Sequence, residues 1–278
     1  MKRTRILTAL SLSGALSAWG PAVSRAPAQD PRSREPVLDA AVRALKTGDA
    51  EARAASAKAL GKLGRGAVFA LPELCSSLKD PDQAVRVHAA WALGNMGPLA
   101  EPARLPLLEA LGDKDSYVRE NAAAALGNIG PKAADAVGAL IPLLRDGGPH
   151  VRESAATALG KMGPKSRRAL RALERALKDR NADVRTAAAV ALGNLGPFAD
   201  PAAESLLKSL QDDDSYVRMA AALAAGRLGL NAEKAVGGLA RSLSDPDPYV
   251  RMSAANSLFQ VAPDGLLPKV IGLLKDPD

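Results

Sequence analysis

Val-Arg pairs recur along this chain at a constant step of 33 residues: Val85-Arg86, Val118-Arg119, Val151-Arg152, Val184-Arg185, Val217-Arg218 and Val250-Arg251. Several further columns keep the same register, among them Leu74, Leu107, Leu140, Leu173, Leu206 and Leu239, a second leucine column from Leu78 to Leu243, and Asp80, Asp113, Asp146, Asp179, Asp212 and Asp245. A unit this short cannot enclose its own apolar face, so the core has to form between neighbours and the stack is the folding unit.

Each period predicts two short helices. The first opens at a side chain that can accept from the free amides of a first helical turn, namely Asp82, Asp115, Asn181, Asp214 or Asp247. It continues through alanine-rich sequence to Ala92-Leu93-Gly94 and its equivalents, with Val118, Ala122, Ala125 and Ile129 at helical spacing. Gly97-Pro98, Gly130-Pro131, Gly163-Pro164 and Gly196-Pro197 end it, the glycine through a left-handed cap and the proline because it cannot continue a helix. The second helix carries Leu170, Leu173 and Leu177 on one face, and pairs such as Ala122-Ala123 and Ala188-Ala189 allow close helix approach.

The pattern D-x-D-x-x-V-R-x-x-A-A-x-A-L-G-x-x-G-P followed by L-x-x-x-L resembles the HEAT-like repeats first recognised in phycobilisome lyases, over residues 36 to 278. The resemblance implies an all-α, right-handed α-solenoid of the HEAT/armadillo superhelix type, with first helices convex and second helices concave. It also implies a structural ladder, in which the Asp of each unit pairs with the Arg six residues on, from Asp80 and Arg86 to Asp245 and Arg251. A ligand-binding arginine row is the other reading of that column.

Seven hairpins are expected after an N-terminal half-repeat, in which Ala41 and Leu45 of residues 36 to 46 align with the second-helix leucines. Near the other end Ala225 replaces the column of Leu93 and Leu192, Phe259 and Gln260 replace the glycine and its neighbour, and Leu267, Val270 and Leu274 form a last apolar face. Ahead of the repeats, Lys2, Arg3 and Arg5 precede an uncharged stretch from Ile6 to Trp19 and the small residues Ala26-Pro27-Ala28, the layout of a secretory signal peptide. The expected organisation is a signal peptide at 1–28, a linker at 29–35 and the solenoid at 36–278, exported to the periplasm or the extracellular space. That apolar run is interrupted by Ser and Gly and falls short of the roughly 20 residues of a membrane span.

Export changes the meaning of the charge. The chain carries +7, but residues 1–28 hold Lys2, Arg3, Arg5 and Arg25 and no acid, so residues 29–278 hold 33 basic and 30 acidic residues. Chemistry is poorly served by what remains. The two histidines, His88 and His150, stand in different columns and neither precedes Glu, which removes the His-Glu dipeptides of the similar deoxyhypusine hydroxylase scaffold. Bilin lyase activity is also disfavoured, since the resemblance lies in scaffold positions and an exported chain does not meet cytoplasmic phycobiliproteins. No cofactor or metal is expected, and Cys75, between Leu74 and Leu78, reads as a buried small apolar residue.

Two features break the period at the surface. Residues 161–180 hold eight basic residues against Glu174 and Asp179. Of these, Arg168, Arg171, Arg175 and Lys178 fall on one helical stripe opposite Leu170, Leu173 and Leu177. The stripe is either an ordinary solvated face or an anion-binding patch for an acidic protein segment or polyanion. The three tyrosines, Tyr117, Tyr216 and Tyr249, share one column just before Val-Arg. They either pack on the adjacent loop or grip a partner. The expected function is non-catalytic protein binding by an exported scaffold; the alternatives are a module for polysaccharide or nucleic acid and an accessory factor of an envelope enzyme. Near-neutral charge and export count against nucleic acid.

Overall fold

The structure is a computed structural model that describes residues 31–228 and 232–261. The expected signal peptide and the apolar face of Leu267, Val270 and Leu274 lie outside these residues. The chain divides into two units, Met1–Leu38 and Asp39–Asp278, and only the helical start of α1 is described in the first. Helix α1 (Pro31–Thr47) begins upstream of Pro36, so residues 31–35 of the expected linker are helical.

Helical hairpins then follow in register: α2 (Ala50–Leu63) and α3 (Leu71–Ser77), α4 (Gln83–Met96) and α5 (Arg104–Ala110), α6 (Ser116–Ile129) and α7 (Val137–Leu143), α8 (Pro149–Met162) and α9 (Leu170–Ala176). Next come α10 (Ala182–Leu195) and α11 (Ala203–Lys208), α12 (Ser215–Arg227) and α13 (Ala232–Ser242), and α14 (Pro248–Val261). The first helices pack side by side along the stack, each second helix lies against the first helices around it, and the described residues contain no strand. This is the expected α-solenoid.

The caps behave as their chemistry dictates. Asp82 accepts from the amides of Ala84 and Val85, Asp115 from Tyr117 and Val118, and Asp214 from Tyr216 and Val217, satisfying donors that a helix start leaves unpaired. At the other end the glycines depart from the expected left-handed cap: Gly97 has φ 61°, ψ −134° and Gly163 has φ 59°, ψ −139°. That mirror-β region is open essentially to glycine alone, so the stop is stricter than a left-handed cap, which asparagine also tolerates.

The second arm is not one helix. A 3-10 segment such as Gly97–Ala103 or Gly163–Ala169 leads into a seven-residue α-helix. Proline follows the turn glycine and fixes a tight first turn. At the junction stands a buried alanine, Ala70, Ala103, Ala136, Ala169 or Ala202. Ala103 (φ −79°, ψ 1°) and Ala202 (φ −99°, ψ 3°) sit close to or in the bridge region, where the helix changes pitch.

The core lies between the helix layers. Leu74, Leu107, Leu140, Leu173, Leu206 and Leu239 are all fully buried, each worth on the order of 1.5–3 kcal/mol of transfer free energy. A second glycine column sets how closely the first helices approach: a Cβ built on Gly127 would lie 2.7 Å from the Cα of Ala158, and one on Gly61 would lie 2.4 Å from the Trp91 ring. Trp91 therefore packs over Gly61. Leu45 of α1 is buried against this core and Ala41 is half-buried, the behaviour of a capping half-repeat.

Candidate functional site

The Val-Arg register forms a continuous ladder between repeats. Each valine is buried, and the arginine beside it spans two units. Arg86 donates from Nε and Nη2 to Asp113 at 2.8 and 3.2 Å, while its Nη1 donates to the carbonyls of Asp80 and Pro81 at 2.9 and 3.1 Å. The same bidentate contact joins Arg53 to Asp80, Arg119 to Asp146, Arg152 to Asp179, Arg185 to Asp212 and Arg218 to Asp245. This corrects the expected pairing. The carboxylate comes from the following unit, 27 residues on, and the Asp six residues before contributes only its carbonyl. The reason is geometric: with Nη1 turned back to its own turn, the Nε and Nη2 edge faces the neighbour. For Arg251 the residue 27 positions on is Asp278, which lies outside the described residues.

The ladder depresses its carboxylates. Hydrogen bonds from Arg53, Arg119 and Arg218 hold Asp80, Asp146 and Asp245 below the usual aspartate range. At Asp113, Asp179 and Asp212 burial pushes the carboxyl up, but the arginine and a backbone amide together outweigh it and the net displacement is again downward. A second ladder went unread in the sequence. Asn95 and Asn128 donate to the carbonyls of Gly61 and Gly94, both at 3.0 Å, and in the same column Lys161 and Arg227 donate to Asn128 and Asn194 at 2.6 and 2.8 Å. The signal was available as asparagine after the Leu-Gly pair at the 33-residue step.

These contacts sort the basic segment. Lys161 is bonded to Asn128, Lys165 to the carbonyl of Pro131, Arg171 to Glu174 at 3.0 Å, and Arg167 lies 5.9 Å from the centre of the Phe198 ring. Arg168, Arg175, Lys178 and Arg180 are exposed, and their side chains make no hydrogen bond or ion pair among the described residues. The four stripe residues do not share one helix, because the arm is split: Arg168 stands in the 3-10 lead, Arg171 and Arg175 on α9, and Lys178 past its end.

A groove recurs between successive second arms. One copy is lined by Lys46, Arg53, Glu73, Ser76 and Asp80, and the next by Lys79, Arg86, Glu109, Asp113 and Lys114. In these the cation at the end of the second arm is neutralised, Lys46 by Glu73 at 2.9 Å and Lys79 by Glu109 at 2.6 Å. The copy between α7 and α9 is larger, about 760 Å³, and is lined by Arg145, Arg175, Lys178 and Arg180 with Ile141, Leu144, Ala172 and the ladder residues Asp146, Arg152 and Asp179. Ala172 occupies the column of Glu73, and Arg175 that of Glu109. The neutralising acids are thus gone, and both aspartates are already bonded to Arg119 and Arg152.

Tyr117, Tyr216 and Tyr249 each stand second in a first helix and are 58%, 39% and 62% exposed. They therefore present ring surface to solvent at one position of the repeat. Cys75 is half-buried against the core, and burial pushes its thiol up, away from the reactive thiolate. Burial and the nearby Lys58 push His88 down. No group of three His, Cys, Asp or Glu among the described residues is arranged to hold a metal ion.

Comparison with known proteins agrees with this architecture. The family model for HEAT repeats matches residues 38–116, 104–193 and 203–278, and that for the PBS lyase HEAT-like repeat matches residues 184–212. Comparison with curated proteins gives no match. Among solved structures, an engineered protein is 25% identical with a TM-score of 0.64, over 85% of this chain and 70% of its own. The complex of CpcE and CpcF of phycocyanin lyase from Nostoc sp. is 27% identical with a TM-score of 0.54, over 91% of this chain and 98% of that one. A designed armadillo repeat protein in complex with the peptide (KR)4 shares the fold at 20% identity and a TM-score of 0.54, over 81% of this chain and 99% of its own.

Proposed function

The chain belongs to the HEAT-repeat family, and from that premise we propose that it is an exported, non-catalytic scaffold that binds a protein partner. One observation carries this reading. The columns that repeat are spent on stacking, as caps, turn glycines, buried leucines and the Arg–Asp ladder, while the exposed cations and tyrosines are the residues that break the period. A surface that varies over a constant frame is how solenoids present a binding site. The likeness to CpcE and CpcF spans the stacked helices, whose recurring residues are those already spent on packing, and therefore supports a shared frame more than a shared reaction.

In this reading Arg168, Arg171, Arg175 and Lys178 supply the charged part of the contact, and Tyr117, Tyr216 and Tyr249 a row of aromatic anchors. The basic residues of 1–5 and the uncharged stretch after them support export. The test is crosslinked capture from the envelope fraction of the source cell, with the wild-type chain beside an Arg168→Glu/Arg171→Glu/Arg175→Glu variant of unchanged helicity. A protein recovered with the wild type and lost with the variant is the expected result. The same set with both removes the basic segment from the contact, and no protein with either removes the scaffold reading.

A further inference from the structure

We propose that the groove between α7 and α9 is a binding site for a short acidic peptide segment, whose carboxylates are taken by Arg145, Arg175, Lys178 and Arg180. The inference rests on the scaffold reading and names its partner's chemistry. It moves the centre of the site from the stripe on one arm to the space between two, and it brings in Arg145 and Arg180, which the stripe did not contain.

The groove is the repeat's own, altered at one place. Every described copy has a floor made by the ladder, so its aspartates are bonded and cannot answer further cations. In the copies at Lys46 and Lys79 a glutamate balances the added cation. Between α7 and α9 that balance is removed twice, by Ala172 and by Arg175, and Arg180 is added where the other copies have Pro81 and Lys114. Four cations thus converge on one groove, and the acids nearest to them are bonded elsewhere, Glu174 to Arg171 and Ser205 and Asp179 to Arg152. Cations beyond the end of a short helix also meet its carbonyls favourably, but that role requires neither the absence of a glutamate facing Arg145 nor Arg180.

The occupant follows from charge and lining. Arginine forks match carboxylates bidentately, and Ile141, Leu144 and Ala172 give the walls apolar surface for the rest of a peptide. Residues 161–180 carry an excess of six positive charges, whereas the rest of 29–278 holds 25 basic and 28 acidic residues. Outside residues 161–180 the chain therefore offers a long polyanion no net positive charge, whereas a short acidic segment needs none.

Labelled hexaglutamate and hexaglutamine are titrated against the full chain, with duplex DNA as a third probe. Saturable binding of hexaglutamate alone is expected, with Arg145→Gln/Arg175→Gln weakening it about tenfold or more and Lys79→Gln/Lys114→Gln, in the balanced copy of the groove, leaving it unchanged. Lys178→Gln/Arg180→Gln, beyond the end of α9, should weaken it likewise and serves if the first pair lowers helicity. No saturable hexaglutamate binding, equal loss from the balanced groove, or tighter binding of DNA overturns the proposal. If the capture experiment yields a partner that the groove variants still hold, this site fails while the scaffold stands. If hexaglutamate binds as expected and no partner is captured, the scaffold reading fails and the site remains.

Discussion

At the scale of single residues, glycine does two distinct tasks that the sequence writes with the same letter. Gly97 and its equivalents hold φ near +60° with ψ near −135°, and Gly94 and its equivalents leave room for the next helix. Gly127→Ala would drive a Cβ to 2.7 Å from the Ala158 backbone, and overpacking of that kind should lower unfolding free energy by about 1–3 kcal/mol in urea titration. Gly138, exposed on α7 with nothing within 4 Å of a Cβ, is the contrast; Gly138→Ala should raise stability by up to about 1 kcal/mol through helix propensity. Gly163→Ala, which forces an alanine into a glycine-only backbone region, should cost on the order of 1–3 kcal/mol. Both glycine columns were legible as columns; only the dihedral angles and the distances to the next unit told them apart.

At the scale of elements, the ladder ties each first helix to the turn of the next unit, and it titrates. The folded-state pKa of Asp146 lies below its ordinary value because Arg119 bonds it. Its contribution is therefore complete above the ordinary aspartate pKa of about 3.9 and is lost as pH falls through the lowered folded value. The melting temperature should hold between neutral pH and about 5 as far as the ladder is concerned, then drop below about 4. Asp146→Asn should be less stable at neutral pH and should lose less on acidification, which thermal melts across pH would resolve. Arg119→Gln leaves a largely buried carboxylate with only its backbone donor and should cost about 1–3 kcal/mol. The columns of Asp and Arg were visible in the sequence, but the Asp six residues before was the wrong carboxylate, since the guanidinium gives Nη1 to the carbonyl of its own turn and turns its Nε and Nη2 edge to the following repeat.

At the scale of the whole molecule, the stack should behave as coupled neighbours, so a destabilised unit loosens those beside it before the rest. Hydrogen exchange on Gly127→Ala should accordingly show protection lost first in α6 and α8, and uniform loss along the chain would contradict nearest-neighbour coupling. Fractionation of the source cell should find the chain outside the cytoplasm and shortened near residue 28; a full-length cytoplasmic chain would remove export. The sequence by itself determined the all-α class, the 33-residue hairpin, the capping aspartates, the stop at Gly-Pro and the leucine core, because each follows from local backbone chemistry repeated at a fixed step. Tertiary structure decided what depends on lateral contact: which unit supplies the carboxylate to each arginine, where the second arm breaks at a buried alanine, and which cations keep a partner. Arg145 and Arg175 are 30 residues apart and form one groove only because α7 and α9 lie side by side, and spacing along a chain fixes the repeat without fixing what its neighbour places across the gap.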